Sequence, residues 1–175
     1  MRQIYLITGL MASGKTTVAQ LLAERLEKSV HLHGDIFRRM IVSGRQEMCE
    51  NPPKEAFEQL YLRYQLTAEA AKGYYDHGFS VIVQDNYYGP ALAHMLEFMG
   101  DYPVQVIDLC PDCESIRQRE NERGKCGYSG FEIEPLYVSF MAETPRIGLW
   151  IDNTDLTAQQ TVDRILNAME NEGNG

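Results

Sequence analysis

The sequence predicts an α/β fold in which a parallel β-sheet is covered by helices on both faces. Three observations support this class. Short apolar runs of strand length alternate along the chain with longer segments of helical periodicity. The first apolar run is hydrophobic at nearly every position, as in a strand buried on both faces. The 175 residues, 44% of them hydrophobic, contain neither an internal repeat nor a long linker, so we expect one domain over residues 1–175.

Five short apolar runs are predicted to be the strands. The first reads QIYLIT, the third FSVIVQ and the fourth VQVIDL. Such β-branched and aliphatic residues are typical of strands in a covered parallel sheet. The predicted strands span residues 3–8, 30–33, 79–84, 104–109 and 147–152.

The segments between these strands carry apolar residues at intervals of three and four, which is typical of amphipathic helices. Val18 and Leu22 begin this pattern after the first strand. Pro52 and Pro53 break the chain before a long helix that starts at Lys54 and ends before Gly78. Further helices are predicted at residues 36–42, 90–98, 112–123 and 134–143, and a last one around 162–169.

The segment GLMASGKTT, residues 9–17, joins the first strand to the first helix. Its Gly-x-x-x-x-Gly-Lys-Thr spacing is that of the phosphate-binding P-loop, or Walker A motif, in its required context. Glycines allow backbone N–H groups to turn toward phosphate oxygens, and the helix N-terminus adds positive potential. Lys15 is expected to reach the β- and γ-phosphates of ATP, and the Thr16 hydroxyl to hold Mg²⁺. The predicted nucleotide contacts are Gly9, Ala12, Ser13, Gly14, Lys15, Thr16 and Thr17.

Two acids follow strands at the edge of the sheet where ligands bind. Asp35, after the second strand, could accept the proton of a substrate hydroxyl that attacks the γ-phosphate. The alternative is that it only caps the next helix. Arg38, one turn further on, could hold the acceptor or the transferring phosphate. Asp85 ends the third strand as a Walker B acid would and is the predicted second metal residue, although any buried strand can end in Asp.

Arg119 and Arg123 lie four residues apart on a charged helix that leads into the glycine-rich segment 124–130. Arginines on a hinged lid, here about residues 117–131, can stabilise the charge that develops in phosphoryl transfer. We therefore predict both to be catalytic, together with Lys15 and Asp35. The alternative is a surface helix whose arginines pair with nearby glutamates.

The acceptor pocket is predicted between the segment after Asp35, the long helix and the loop after Asp85. Tyr87 and Tyr88 follow a strand end and are the predicted substrate contacts, with Asp35 and Arg38. Their rings and hydroxyls suit a small, partly apolar, hydroxylated molecule. At their helical spacing, Phe57 and Tyr64 are better explained as core residues.

The composition restricts partners and location. A net charge of −9 and a pI of about 4.9 argue against nucleic acid and anionic membranes as partners. No apolar run is long enough for a membrane span, and no signal peptide is recognised, so a cytoplasmic protein is expected. Its four cysteines lack the spacing of a zinc site and are interpreted as reduced, buried or half-buried thiols.

Taken together, the P-loop, the segment GDIFRR, the acid after the third strand and RQRENERGK resemble the P-loop small-molecule kinases. This group includes chloramphenicol phosphotransferase, gluconate and shikimate kinases, zeta toxins and the kinase domain of polynucleotide kinase, and the chain looks closest to bacterial ATP-dependent kinases labelled AAA-family ATPases. The closing TPRIGLWIDNTDLTAQQTVDRIL resembles them too. Gln84 before Asp85 departs from the usual Walker B pattern.

The resemblance implies a three-layer P-loop fold with strand order 2-3-1-4-5, ATP with Mg²⁺, Asp35 as the general base and Arg119 and Arg123 as lid arginines. It also implies that Asn153 and Thr154 lie in the loop that passes the adenine. The predicted function is therefore phosphoryl transfer from ATP to a hydroxyl group of a small molecule, such as an antibiotic or a metabolite. A nucleic-acid end kinase and an acceptor-free ATPase or switch are the alternatives. The net charge argues against the first, and the lack of an Asn-Lys-x-Asp tetrapeptide argues against a GTPase switch.

Overall fold

A five-stranded parallel sheet forms the centre of the fold. The computed structural model describes residues 2–123, 128 and 131–172. The strands lie side by side in the order β2-β3-β1-β4-β5, and each neighbouring pair is parallel. The predicted fold class and strand order are confirmed. The strands are β1 (Ile4–Gly9), β2 (Ser29–His33), β3 (Ser80–Gln84), β4 (Val104–Leu109) and β5 (Leu149–Ile151).

The described residues form seven helices, which connect the strands or follow the last one. The long helix begins at Lys54 as predicted, directly after Pro53. None of these helices is long and apolar enough to cross a membrane. The helices are α1 (Lys15–Arg25), α2 (Asp35–Arg39), α3 (Lys54–Asp76), α4 (Pro90–Met99), α5 (Cys113–Glu122), α6 (Ile133–Glu143) and α7 (Ala158–Glu172).

Side chains of β1 alternate between two cores, one on each face of the sheet. Ile4 and Leu6 point into the core that α3 and α4 cover. Tyr5 and Ile7 point into the opposite core, which is covered by α1 and α7. Burying each Leu or Ile contributes roughly 1.5–3 kcal/mol. These two cores hold the sheet rigid and fix the carboxyl ends of β1, β2 and β3 at one edge.

A third apolar cluster lies beside the P-loop. Leu10, directly after β1, packs with Ile116 of α5 and Phe140 of α6. The Tyr128 hydroxyl donates a hydrogen bond to the Met11 carbonyl at 2.7 Å. The α5–α6 pair therefore supports the loop from one side. Tyr128 is the only described residue of the predicted hinge 124–130, and the rest of it lies outside the described residues.

Most predicted element boundaries agree with the structure to within a single residue, and three elements differ by more. Strand β5 starts at Leu149, not at residue 147, because Gly148 has φ +72° and lies so close to β4 that a Cβ there would be 2.3 Å from the Val106 carbonyl oxygen. Helix α2 ends at Arg39 instead of residue 42. Helix α7 starts four residues before Val162, since Thr157 and Gln160 exchange the two hydrogen bonds of a capping box.

Candidate active site

The loop between β1 and α1 adopts backbone angles that require its glycines. Gly9 has φ +134°, and a Cβ there would lie 2.3 Å from the Leu109 carbonyl oxygen of β4. Gly14, the residue before α1, has φ +97°. Ala12 also has a positive φ of 65°, which is unusual for a residue with a Cβ. The shape of the loop therefore depends on its local backbone geometry and on its close contact with β4.

Lys15 folds back over this loop. Its Nζ donates hydrogen bonds to the carbonyl oxygens of Gly9 and Leu10, both at 2.7 Å. Burial lowers the pKa of Lys15 to about 7, against the opposing charges of Asp85 and Asp108, while Arg123 lowers it further. The negative charge of a bound phosphate group would favour the protonated form of this amine. Thr16 and Thr17, in the first turn of α1, are exposed.

Asp85 is buried at the carboxyl end of β3. One of its carboxylate oxygens accepts a hydrogen bond from the Asn86 N–H at 2.8 Å. The other lies so near β2 that a Cβ on Gly34 would come within 2.4 Å of it. Burial raises the pKa of Asp85, although the charges of Arg63 and Lys15 oppose this. The absence of a side chain at Gly34 is therefore what allows Asp85 to occupy this position.

Asp35, the first residue of α2, is surrounded by arginines. Arg38 Nε lies 2.6 Å from one carboxylate oxygen and Arg39 Nε lies 2.7 Å from the other. Burial alone would raise the pKa of Asp35, but these hydrogen bonds and the charges of Arg38 and Arg63 lower it overall. Asp35 makes no capping hydrogen bond to α2; the N-cap residue is Gly34. Its carboxylate is thus ionised and directed toward the arginine cluster.

Arg63, on α3, joins the two acids and was missed by the sequence analysis. Its Nε lies 3.1 Å from an Asp85 oxygen, and its Nη1 lies 3.6 Å from an Asp35 oxygen. Only 12% of the side chain is exposed. The sequence contains an indication that Arg63 is not a simple surface residue. It has no acidic residue three or four positions away on its own helix, and it lies next to the apolar stripe. Its partners had to come from elsewhere in the fold.

The structure corrects the predictions for two aromatic residues. Tyr87, predicted to contact substrate, is fully buried in the core under α3, with its ring 4.9 Å from that of Tyr64. The alternation of residues after β3 turns it inward, so it cannot line an open pocket. Phe57, expected in the core, is 43% exposed, because Ala56 is the residue that faces inward in this turn of α3. Tyr88 is half-buried and packs edge-on against Phe140.

The two predicted lid arginines make different contacts. Arg119 donates hydrogen bonds to the carbonyl oxygens of Asn153 at 2.9 Å and Thr154 at 3.1 Å, which ties α5 to the loop after β5. Arg123 pairs with Glu120 at 3.1 Å, and its charge contributes to the lowered pKa of Lys15, although less than the burial of that lysine does. Of the two arginines, Arg123 is therefore the one whose charge acts at the P-loop.

The Asn153 side chain supports the P-loop from beneath. It is buried, and its amide donates a hydrogen bond to the Ser13 carbonyl oxygen at 3.0 Å. The amide of Asn153 is thus engaged by the loop backbone, and a contact between Asn153 and the nucleotide stays a prediction. The chain around it still runs past the first turn of α1, and Thr154 beside it is half-buried.

Asp108 of β4 is a buried carboxylate near this site that the sequence analysis did not single out. It is paired in register with Thr8 and Trp150 of the neighbouring strands and is fully buried. Neither of its oxygens accepts a hydrogen bond from a described residue. Burial raises its pKa to about 7, while the charges of Lys15 and Arg146 act in the opposite direction.

Asp108 is expected to make the protein less stable as the pH rises. Because the pKa of Asp108 is higher in the folded state than in the unfolded state, proton binding to Asp108 stabilises the fold. This stabilisation is fully present below pH 3.8 and is lost as the pH rises through about 7. Between pH 5 and pH 8 the loss should be roughly 3 kcal/mol in the free energy of unfolding. Urea unfolding of wild type and Asp108→Asn at both pH values measures this, with exposed Asp101→Asn as the control. Parallel pH profiles for wild type and Asp108→Asn would contradict the expectation.

Comparison with known proteins agrees with this architecture. A family model described as an AAA domain matches residues 4–135. No curated protein matches the chain. The predicted resemblance is confirmed at the level of family and fold, and the solved structures below, all under 25% identical, show the fold alone.

Three similar solved structures cover nearly the whole chain. The tunicamycin resistance protein of Deinococcus radiodurans is 18% identical, with a TM-score of 0.74 over 97% of this chain and 96% of that one. An unliganded sugar kinase from Janibacter sp. HTCC2649 is 18% identical, with a TM-score of 0.71 over 97% and 95% of the two chains. A shikimate kinase from Acinetobacter baumannii, in complex with shikimate, is 18% identical, with a TM-score of 0.64 over 98% and 94%.

Proposed function

The chain belongs to the AAA domain family, and we propose that it is a kinase that transfers the γ-phosphate of ATP to a hydroxyl group of a small molecule. The observation that carries this proposal is the pair of acids at the ends of β2 and β3. Asp85 interacts electrostatically with Lys15 of the P-loop, and Asp35 lies on the other side of Arg63. This arrangement supports a role for Asp85 at the nucleotide and for Asp35 at an acceptor. An acceptor-free ATPase would not need the second acid.

Each residue of the site has a distinct proposed role. Lys15 binds the β- and γ-phosphates, which displace its amine from the two loop carbonyls. Asp35 accepts the proton of the acceptor hydroxyl. Arg123 stabilises the charge on the transferring group. Arg38, which is paired with Asp35, is the remaining proposed acceptor contact.

The nucleotide is held mainly by backbone groups of the P-loop. The positive φ angles of Gly9, Ala12 and Gly14 give that loop its curved shape. The exposed Thr16 and Thr17 provide hydroxyl groups near the phosphates, whereas the Ser13 side chain is fully buried. Asn153 acts indirectly, through its hydrogen bond to the loop.

Thr16 and Asp85 are the residues that would hold Mg²⁺. Hydroxyl and carboxylate oxygens are the ligands that this ion prefers. One Asp85 oxygen is paired with Arg63 Nε at 3.1 Å, so Mg²⁺ would have to bind beside this ion pair or replace it. When bound, Mg²⁺ would neutralise charge on the β- and γ-phosphates.

A screen for phosphoryl transfer tests the proposal. Hydroxyl compounds, including sugars, alcohols and oligonucleotides with a free 5′-hydroxyl, are incubated with the protein, ATP and Mg²⁺, and products are detected by the mass of one added phosphoryl group. Transfer to a small molecule that Lys15→Ala abolishes is expected. ATP hydrolysis that no compound accelerates would favour the acceptor-free ATPase. Transfer to oligonucleotides alone would favour the nucleic-acid end kinase, despite the net charge of −9.

Arg123 and Arg119 should affect different kinetic constants. Arg123→Ala is expected to lower kcat by roughly 10²-fold with little change in ATP affinity, because its charge matters most in the transition state. Arg119→Ala should instead raise the KM for ATP, because it frees the loop after β5 from α5. Steady-state kinetics and nucleotide binding distinguish the two effects. Equal, small changes for both variants would support the plain surface-helix alternative.

A further inference from the structure

A cavity between α2 and α3 opens beside Asp35. It has a volume of about 190 Å³. Its walls are formed by aliphatic and aromatic side chains from both helices and the segment that follows α2: Phe37, Met40, Ile41, Leu62 and Leu66. Arg38 and Arg63, two of the three arginines that contact Asp35, also line it. The cavity therefore adjoins the proposed general base, from which these two arginines separate it.

The apolar walls of this cavity are unusually open to solvent. Met40 is 63% exposed, Leu62 48% and Leu66 41%. Large apolar side chains grouped around a cavity next to charged residues are typical of a ligand site. The tyrosines that the sequence analysis assigned to the acceptor pocket do not line it.

The polar side chains of the lining are already occupied by the protein. Arg38 bonds Asp35 and both oxygens of Glu47. Arg63 pairs with Asp85 and Asp35. The third polar residue, Gln59, donates to the Gly44 carbonyl oxygen and accepts from the Gln46 N–H.

These occupied groups restrict the chemistry of the ligand. A polyhydroxylated molecule needs several free hydrogen-bonding partners, because each hydroxyl that loses water without a new partner weakens binding. Among the described lining residues only Arg38, Arg63 and Gln59 have polar side chains, and much of their hydrogen-bonding capacity is used within the protein. The walls instead offer apolar contact, and a single hydroxyl that reaches Asp35 would have to displace one of the arginine contacts of its carboxylate.

We propose that the acceptor is an alcohol with an apolar body, whose ring or short branched chain lies between α2 and α3 and whose hydroxyl reaches Asp35. The inference rests on the proposed kinase function. An apolar cavity of about 150 Å³ is large enough to bind benzene, so the 190 Å³ found here accommodates one ring. A longer body would extend past Met40 and Leu62 toward solvent.

The binding experiment uses 2-phenylethanol as the apolar probe and glucose as the polyhydroxylated one, each with a primary hydroxyl. Binding to the full chain is measured by saturation-transfer NMR titration without nucleotide. Leu62→Asp places a charge on the cavity wall and should weaken 2-phenylethanol binding at least tenfold. Val138→Asp, at a similarly exposed position on α6 outside the lining, should leave it unchanged. Glucose should show no saturable binding.

Two results would overturn the inference. The first is that glucose binds as tightly as 2-phenylethanol. The second is that 2-phenylethanol shows no saturable binding, or that Leu62→Asp does not weaken the binding it shows. Leu66→Asp repeats the test at a second position, and thermal unfolding of each variant verifies that it is folded. In the phosphorylation assay, apolar alcohols should exceed sugars in kcat/KM by at least 10²-fold. If sugars are phosphorylated and apolar alcohols are not, the kinase function stands and this inference is wrong. If apolar alcohols bind but no compound is phosphorylated, the kinase function is wrong and the ligand class stands.

Discussion

Lys15→Ala is expected to lower phosphoryl transfer by roughly 10³-fold or more while the fold persists. In the proposed mechanism, the amine supplies the positive charge nearest the β- and γ-phosphates. Its two hydrogen-bond acceptors are carbonyl oxygens of the P-loop itself, so the hydrogen bonds that the substitution removes lie within that loop. Burial lowers the pKa of the Lys15 amine to about 7, because the charged amine loses its hydration in the folded protein. Removing the amine therefore also removes this desolvation cost of folding. Steady-state turnover and urea unfolding at pH 7 measure the two effects. Near-normal turnover in a folded variant would contradict the P-loop role of Lys15.

The protonation of Lys15 provides an independent test. Above pH 7 most of the unliganded protein carries a neutral amine, and a bound triphosphate would favour the charged form. Nucleotide binding at pH 8 should therefore take up close to one proton. Calorimetry in two buffers of different ionisation enthalpy detects this uptake. Lys15→Met, which keeps the side-chain length but cannot be protonated, is the control and should show none.

Asp35→Asn is expected to reduce acceptor phosphorylation by at least 10²-fold and to leave ATP binding close to that of the wild type. The substitution keeps the shape of the side chain and removes its charge and basicity. Slow ATP hydrolysis without acceptor should persist, because Arg63 separates Asp35 from Asp85, the acid on the nucleotide side of the site. ATP turnover with and without an accepted substrate, and nucleotide affinity, are the measurements.

Asp85→Asn should behave differently from Asp35→Asn. It should raise the Mg²⁺ concentration needed for activity and reduce acceptor phosphorylation and acceptor-free hydrolysis together. It also leaves the buried Arg63 without its closest partner, so a loss of roughly 3 kcal/mol in stability is expected.

The general-base role of Asp35 would be wrong if Asp35→Asn abolished nucleotide binding or left acceptor phosphorylation intact.

Several features of the site follow from short segments and were predictable. The residues of the P-loop are contiguous, and their glycines are needed for a local backbone shape, so the spacing alone identifies the motif. The strand ends that carry Asp35 and Asp85 were also predicted, because apolar runs bounded by polar residues are a local signal.

Other features depend on contacts between distant segments. The role of Arg63 comes from Asp85, 22 positions further along the chain. The hydrogen bond between Asn153 and Ser13 spans 140 positions. Two arginines on one helix were assigned a single role, yet Arg119 reaches the loop after β5 while the charge of Arg123 acts on Lys15. A helical pattern gives the face of a residue but not the partner that this face meets.

By itself, the sequence determined the α/β class, the order of the elements and the phosphate-binding loop, because periodicity and glycine spacing act over a few residues. Only the tertiary structure decided that Tyr87 is a core residue, that Arg63 joins the two acids and that the cavity beside Asp35 has apolar walls. The physical reason is that burial and ion pairing depend on which segments pack together. In this chain the site is assembled where β1, β2, β3 and α3 meet, and their residues are up to about 80 positions apart in the sequence.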